Sequence, residues 1–373
     1  MPLQRISISH LRNLGSVKLD PSSRLNFIYG ANGSGKTSVL EAIYLLGSGR
    51  SFRSHKIRPL INHGSESLTL FAELCSHETI HKIGLERTAS SSQSRTKVDG
   101  RSVNSASSLA SLLPTLMIDA HSFSLIEGSP KERRSFLDWL VFHVKHGFHD
   151  AWKGYSKALK QRNSLLRRGR IEGFEIRPWE LEMCDKAHRL EAMRVECFEL
   201  LKDNLKTVIS DFVPLEGVTF ELYKGWDKDK TLEQQLEMGR ERDYKLGYTW
   251  YGAQKADLKI KVSGHAADQA LSRGQQKLLV CALKIAIGKT YSELSGKQCI
   301  YLVDDLPAEL DSENQRRLAS WLNVIGAQVF VTAIELESLL QAWKEAEQDK
   351  ITMFHVKHGD VEQVKQESKR LDI

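Results

Sequence analysis

Gly30-Ala31-Asn32-Gly33-Ser34-Gly35-Lys36-Thr37 is the stretch on which the fold turns. It follows Leu25-Asn26-Phe27-Ile28-Tyr29, a short apolar run of strand character. It precedes Ser38 to Leu46, where Val39, Leu40, Ile43 and Leu46 share one side of a helix. Gly-x-x-x-x-Gly-Lys-Thr between a strand and a helix is the context of a phosphate loop. The glycines let backbone N–H groups turn inward around phosphate oxygens, and the helix N-terminus adds partial positive charge. Lys36 would sit on the β- and γ-phosphates, where it is also a candidate catalytic residue, and Thr37 would hold Mg²⁺. Gly30, Ala31, Asn32, Gly33, Ser34, Gly35, Lys36, Thr37 and Ser38 are thus the first candidate nucleotide-binding residues. An ordinary Gly/Ser turn fits the residue types, spacing and flanks poorly.

A second constellation lies far down the chain. Gln298 to Val303 reads as a buried strand and ends in Asp304-Asp305. With a phosphate loop upstream, a carboxylate at such a strand tip is the expected second Mg²⁺ ligand, here Asp304. Asp305 would orient or deprotonate an attacking water. Between the two lies Leu271-Ser272-Arg273-Gly274-Gln275-Gln276-Lys277, ahead of an apolar helix from Leu278. Ser272 is its natural N-cap, Gly274 leaves backbone N–H groups open, and Gln275 accompanies them. One phosphate cannot easily occupy both anion-binding surfaces of one chain. A dimer solves this, with Ser272, Gly274 and Gln275 capping a nucleotide held by the partner's phosphate loop.

The 373 residues allow one large or two to three ordinary domains, and 41% hydrophobic with 27% charged residues is globular composition. Net charge is +6, compatible with a polyanionic partner. Five scattered cysteines form no Cys-x-x-Cys or metal spacing, which suggests reduced thiols. There is no apolar run of transmembrane length and no signal-peptide pattern at the start. The expectation is a soluble cytoplasmic protein with no membrane partner.

Periodicity predicts an antiparallel opening (Leu3 to Ser9, Val17 to Leu19), strands at Ser67 to Cys75 and His81 to Arg87, and a Ser-rich turn at 90–94. Asp99-Gly100 signals a hairpin. Leu116 to Ile118 is a buried strand. Gly47 to Arg53 reads as a flexible basic loop, open between solvated loop and nucleotide or DNA contact. From Pro130 the pattern is helical: a helix N-capped at Ser129, another over Asp150 to Leu166, and a third from Pro178. In the last, Cys197, Leu201, Leu205, Val208 and Phe212 form a seam. The cations Arg162, Arg167, Arg168 and Arg170 fit a phosphate backbone or, more simply, a solvated helix end. Alternating helices and strands from Leu278 to Thr332 mark an α/β nucleotide-binding core, and Gly359 to Ile373 reads as a loose tail. Phe-His-Val-Lys-His-Gly occurs twice, at 142–147 and 354–359. Without a third ligand, its histidines carry no metal reading.

These motifs together resemble the ABC-type ATPases, and within them the RecF family of the SMC/Rad50-like branch. Leu11-Arg12-Asn13, the phosphate loop running into Leu40-Glu41-Ala42-Ile43-Tyr44, and Gly49-Arg50-Ser51-Phe52-Arg53 carry the resemblance. So do Gly128-Ser129-Pro130 followed by Arg133-Arg134 and Leu137-Asp138, Gln161-Arg162-Asn163, residues 271–277, and Val303 through Asp311. The resemblance implies an α/β ABC-type ATPase head on a mixed sheet with an inserted helical arm. Residues 1–128 and 251–373 would be the lobes of the head, and 129–250 the arm. It also implies that Arg12 and Asn13 lie near the nucleotide base, that Asp311 sits at a dimer interface, and that Thr332 is a switch residue after the last strand. Gly252-Ala253-Gln254-Lys255-Ala256-Asp257 departs from the family's Gly-Pro-His pattern, so no role is assigned to it.

The implied activity is weak ATP hydrolysis serving a switch. The implied ligands are ATP, Mg²⁺ and double-stranded or gapped DNA, with RecR, RecO and RecA as pathway partners and an ATP-dependent homodimer. The alternative is the ATPase subunit of a membrane transporter, which shares the three nucleotide motifs but lacks the Gly-Ser-Pro…Arg-Arg block. A small-molecule kinase is disfavoured by residues 271–277.

Overall fold

A computed structural model of the chain describes residues 2–76, 79–90, 94–103, 105–168, 173–213 and 215–364. Its strands, in chain order, are β1 (Leu3–Ser9), β2 (Ser16–Leu19), β3 (Leu25–Tyr29), β4 (Ser67–Ser76), β5 (Thr79–Thr88), β6 (Ser94–Val98), β7 (Arg101–Ser102), β8 (Thr115–Ile118), β9 (Val218–Tyr223), β10 (Asp257–Val262), β11 (His265–Ala266), β12 (Ile300–Val303), β13 (Gln328–Ala333), β14 (Ile351–Lys357) and β15 (Asp360–Val364). The chain divides into two compact units, residues 1–122 with 291–373, and residues 123–290.

In the first unit, one sheet runs β15-β14-β3-β13-β12-β8 and another β2-β1-β4-β5-β6-β7. Strands β14, β3, β13, β12 and β8 are parallel, and β15 closes the edge antiparallel. β8, β12 and β13 are buried along their whole length, as strands covered on both faces must be. The other sheet is antiparallel throughout. Between them lies the helix Lys36–Ser48, whose Val39, Leu40, Ile43 and Leu46 are all fully buried. One apolar cluster joins these residues to Ile6, Ile8, Leu70 and Ile83 on one side and Leu302, Phe330 and Phe354 on the other. Burying each such side chain contributes about 1.5–3 kcal/mol. At the Asp99-Gly100 turn both residues have positive φ (49° and 79°), the geometry of a two-residue hairpin.

The second unit contains helices Pro130–Val144, Phe148–Leu166 and Gly173–Phe212, and the small sheet β11-β10-β9. The seam residues Cys197, Leu201, Leu205, Val208 and Phe212 are all buried. The stretch 271–277 also falls in this unit, at the start of the helix Arg273–Ser295.

Three expectations need correction. The third helix begins at Gly173, not at Pro178, which lies inside it. As the sixth residue of this helix, Pro178 cannot donate the usual i→i−4 bond to the Phe174 carbonyl, and the helix runs through it. Gly359 does not begin a loose tail: residues 360–364 pair with β14. Residues beyond 364, the centre of the Ser-rich turn and Arg170 lie outside the described residues. Gly47 to Arg53 is not a free loop either. Ser51 Oγ donates to the buried Glu41 carboxylate and accepts the N–H groups of Arg53 and Ser54.

Candidate nucleotide-binding site

The order β3-β13-β12 decides what meets what. The phosphate loop leaves the carboxyl end of β3, and Asp304-Asp305 leave the carboxyl end of β12. Ligands of open parallel sheets bind at such carboxyl ends. Thr37 Oγ1 lies 3.0 Å from both carboxylate oxygens of Asp304. From β13, Thr332 Oγ1 donates to Asp304 Oδ1 at 2.8 Å and accepts the Asp305 N–H at 2.7 Å. Thr332 is therefore within its strand, not beyond it, and it ties both acids to the central sheet.

Lys36 is nearly buried, and its Nζ donates to Gly30 O (2.7 Å) and Ala31 O (3.0 Å). Burial lowers the ammonium's pKa, and the charges of Asp305 and Asp304 oppose that. Asp304 is displaced the other way: burial raises its pKa, the charges of Asp119 and Asp305 add to this, and the hydrogen bonds from Thr332 and Thr37 oppose it. A carboxylate so placed is stabilised by a cation. Asp305 adopts a left-handed backbone (φ 49°, ψ 52°) ahead of the short helix Leu306–Glu309, and its side chain caps no helix N–H. Such strain in a non-glycine residue costs of order 1–3 kcal/mol.

The loop's shape is set by contacts on both sides. Asn13 Nδ2 donates to Gly33 O and Ser34 O (3.1 and 3.0 Å), and Ser38 Oγ donates to Asn13 Oδ1 at 3.1 Å. From the opposite side, the β14–β15 turn donates the Gly359 N–H to Ser34 O at 2.9 Å. His355 stacks on Tyr29 with ring centroids 4.9 Å apart. A Cβ on Gly30 would lie 2.2 Å from Val356 O, and one on Gly359 2.1 Å from Asn13 O. Gly359 also has φ +87°, which L side chains rarely adopt. Gly359→Ala should therefore weaken nucleotide binding about tenfold, equivalent to about 1.4 kcal/mol. Gly100→Ala is the matched control, with a similar φ of +79° but nothing within 4 Å. Titration with a fluorescent nucleotide compares them; equal losses would show that the hairpin does not hold the loop.

The cleft above the loop, of about 720 Å³, is lined by Arg12, Asn13, Asn32, Thr37, Asp304 and Asp305, and by Arg53, Asn62 and His63. Arg12 is less free than a base-contacting residue would be. Its guanidinium donates twice to the fully buried Glu41 (2.9 and 2.8 Å) and once to Pro59 O. Glu41 also faces Arg53 at 3.6 Å. Arg53 comes from the basic loop left open to a nucleotide or DNA contact, while Asn62 and His63 carry no sequence reading. The available signal was Glu41, an acid on the buried side of an apolar helix, which demands cations nearby.

The donor set suits the groups the sequence suggests. Ser34 Oγ is buried with no hydrogen-bond partner among the described residues, the state of a hydroxyl aimed at an incoming acceptor. Thr37 and Asp304 offer hard oxygens, and no group of three or more His, Cys, Asp or Glu among the described residues forms a cage. Mg²⁺ is commonly held this way, by one or two protein oxygens plus phosphates and water.

Ser272, Gly274 and Gln275 belong to the other unit. Ser272 does cap the helix Arg273–Ser295: its Oγ accepts the Gln275 N–H, and Gln275 Oε1 accepts the Ser272 N–H at 3.0 Å. This reciprocal cap occupies one helix-terminal N–H. Asp311 likewise caps its own helix, accepting the N–H groups of Glu313 and Asn314. Arg162, by contrast, cannot reach a phosphate backbone. It is fully buried, donating to Glu180, Asp243 and Thr249 at 2.8–3.1 Å. The Arg133, Arg134 and Asp138 block is internal scaffolding. Arg133 pairs with Asp257 through two bonds, Arg134 donates to Ala256 O, and Asp138 receives Arg194. Residues 252–257, given no role from sequence, are what this block holds.

The RecF/RecN/SMC N terminal domain family model matches residues 2–360. A protein of Cellvibrio japonicus described as "DNA replication and repair protein RecF" is 47% identical over 97% of this chain and 99% of its own length. A protein of the same description from Stutzerimonas stutzeri is 44% identical over 98% of both. Among solved structures, one titled "Structure of the recombination mediator protein RecF-ATP in RecFOR pathway" superposes with a TM-score of 0.84 at 24% identity, over 98% of both chains. An Smc head bound to the C-winged helix domain of ScpA matches at 0.61 and 16%, over 99% of both. These structural likenesses concern the fold.

Proposed function

The chain belongs to the RecF family of DNA replication and repair proteins, and we propose from that premise that it is an ATP-dependent DNA-binding protein of recombinational repair. The observation that carries the nucleotide half is the meeting of Thr37 and Asp304, 267 residues apart in sequence, at 3.0 Å beside Lys36. Lys36 binds and orients the β- and γ-phosphates, and Ser34 and the loop N–H groups cradle them. Thr37 and Asp304 hold Mg²⁺, which supplies charge neutralisation on the phosphates. Asp305 takes or orients the proton of the attacking water, and its strained backbone keeps its side chain off the helix N–H groups that would otherwise bind it.

In this reading ATP is a switch. Two chains close over two nucleotides, with Ser272, Gly274 and Gln275 of each facing the γ-phosphate on the other. The closed dimer clamps double-stranded DNA near single-strand gaps and, with RecO and RecR, helps load RecA; slow hydrolysis releases it. The protein works in the cytoplasm on the nucleoid. Support for the DNA and pathway half comes from the relatives' names and the pathway named for the structural neighbours.

Ser272→Arg is the test of the paired site. It should spare nucleotide binding and abolish ATP-induced dimerisation, read by sizing with and without ATP and duplex DNA. A variant that still dimerises with ATP would remove the trans-capping element.

A further inference from the structure

Residues 151–168 contain Lys153, Lys157, Lys160, Arg162, Arg167 and Arg168 and not one acid. They cover most of the helix Phe148–Leu166 and the turn after it. The structure sorts these cations into two classes. Arg162 turns inward and is neutralised by Glu180 and Asp243. Lys153, Lys157, Lys160, Arg167 and Arg168 are all exposed, and none forms an ion pair among the described residues. Spacings of four, three and seven keep Lys153, Lys157, Lys160 and Arg167 on one face. At 1.5 Å per residue the row is about 21 Å long.

The residues between the cations matter as much as the charge. Ser156, Lys160, Asn163, Ser164 and Arg167 line an open groove of about 320 Å³ whose one apolar wall residue is Leu159. Lys, Arg, Ser and Asn are the side chains that bind nucleic-acid phosphates. Asn163 is held in place, because its Oδ1 accepts both the N–H and the hydroxyl of Thr249. On the neighbouring helix, Lys186 engages Glu182 and Asp185, and Arg189 also engages Asp185, so those acids do not offset the row. Apart from Leu159, every side chain lining the groove carries a cationic, hydroxyl or amide group.

We infer that this face of the helix Phe148–Leu166, from Lys153 to Arg167, is a contact surface for the phosphate backbone of duplex DNA. The inference deepens the function proposed above and rests on it. It moves the phosphate contact away from Arg162, whose ion pairs anchor the helix, and onto the opposite face. The face binds without reading sequence, since it offers cations and hydroxyls to phosphates and no device for base edges.

The test is Lys153→Gln/Lys157→Gln/Lys160→Gln in the full chain, with a fluorescent 30-base-pair duplex and ATP across a salt series. Each lost contact should lower the slope of log K against log salt by about 0.9, so by about 2.7 for three. Binding near 0.1 M salt should weaken at least tenfold, while nucleotide affinity and melting temperature stay at wild-type values. Lys→Arg at the same three positions should restore both affinity and slope. Unchanged affinity and slope in the glutamine variant, with wild type binding normally, would overturn the surface and leave the proposed function standing. Failure of the wild-type protein itself to bind duplex DNA would overturn both.

Discussion

Lys36→Met is expected to abolish ATP-dependent retention on duplex DNA. The ammonium is nearly buried and already directed at the loop, held by the carbonyls of Gly30 and Ala31. Its burial disfavours the charged form, so a phosphate arriving there relieves an existing cost. Hydrogen bonds to a charged group contribute about 1.5–3 kcal/mol each. Losing one such bond weakens ATP about tenfold to a hundredfold, and methionine fills the stem's volume without replacing the charge. If ATP drives closure on DNA, the closed state disappears with it. The measurement is the fraction of protein surviving a salt wash on immobilised duplex, with ATP and without. Retention equal to wild type would mean that this loop does not govern DNA binding.

The largest stability effect is expected at Arg162. Arg162→Ala should destabilise the second unit by about 3–5 kcal/mol, because it strands Glu180 and Asp243 against each other with one guanidinium removed. Arg240 still reaches Glu180 at 3.0 Å, so the loss concentrates on Asp243, whose side chain is 2% exposed and keeps only the more distant Arg242 at 3.9 Å. Adding Asp243→Asn to the variant should recover part of the loss, since a neutral amide needs no cation. Urea unfolding followed by tryptophan fluorescence reads both. A midpoint unchanged in Arg162→Ala would show that the ion network contributes nothing net.

What could be read in advance followed chemical necessity. The phosphate loop, Asp304 and the Ser272 cap each combine a rare residue order with a forced local geometry, and the cap is found as expected. Long-range pairing was not legible. Nothing in the local pattern of Gly359 to Val364 distinguishes a tail from an edge strand, because β15 is largely exposed and reads as polar. Arg162 looked like a surface cation because its partners, Glu180 and Asp243, lie in other elements. The repeated hexamer shows the limit most directly. At 142–147 it ends a helix, where His143 packs on Trp139 and burial pushes it down to about 4. At 354–359 it is the end of β14 and a turn. Both copies keep only the final glycine's left-handed backbone, φ 87° each. Six residues fix that one dihedral, and the surroundings fix the rest.

The hairpin against the phosphate loop has a consequence for the order in which a ribosome makes the molecule. The loop is translated early, at residues 30–37, but β3 is flanked only by β13 and β14, and Ser34 receives its bond from Gly359. Domains generally fold as units, in the order they emerge. Here an element made early must wait for about three hundred further residues before Gly359 secures its shape. A nascent or prematurely terminated chain would carry the phosphate-loop motif without a competent pocket.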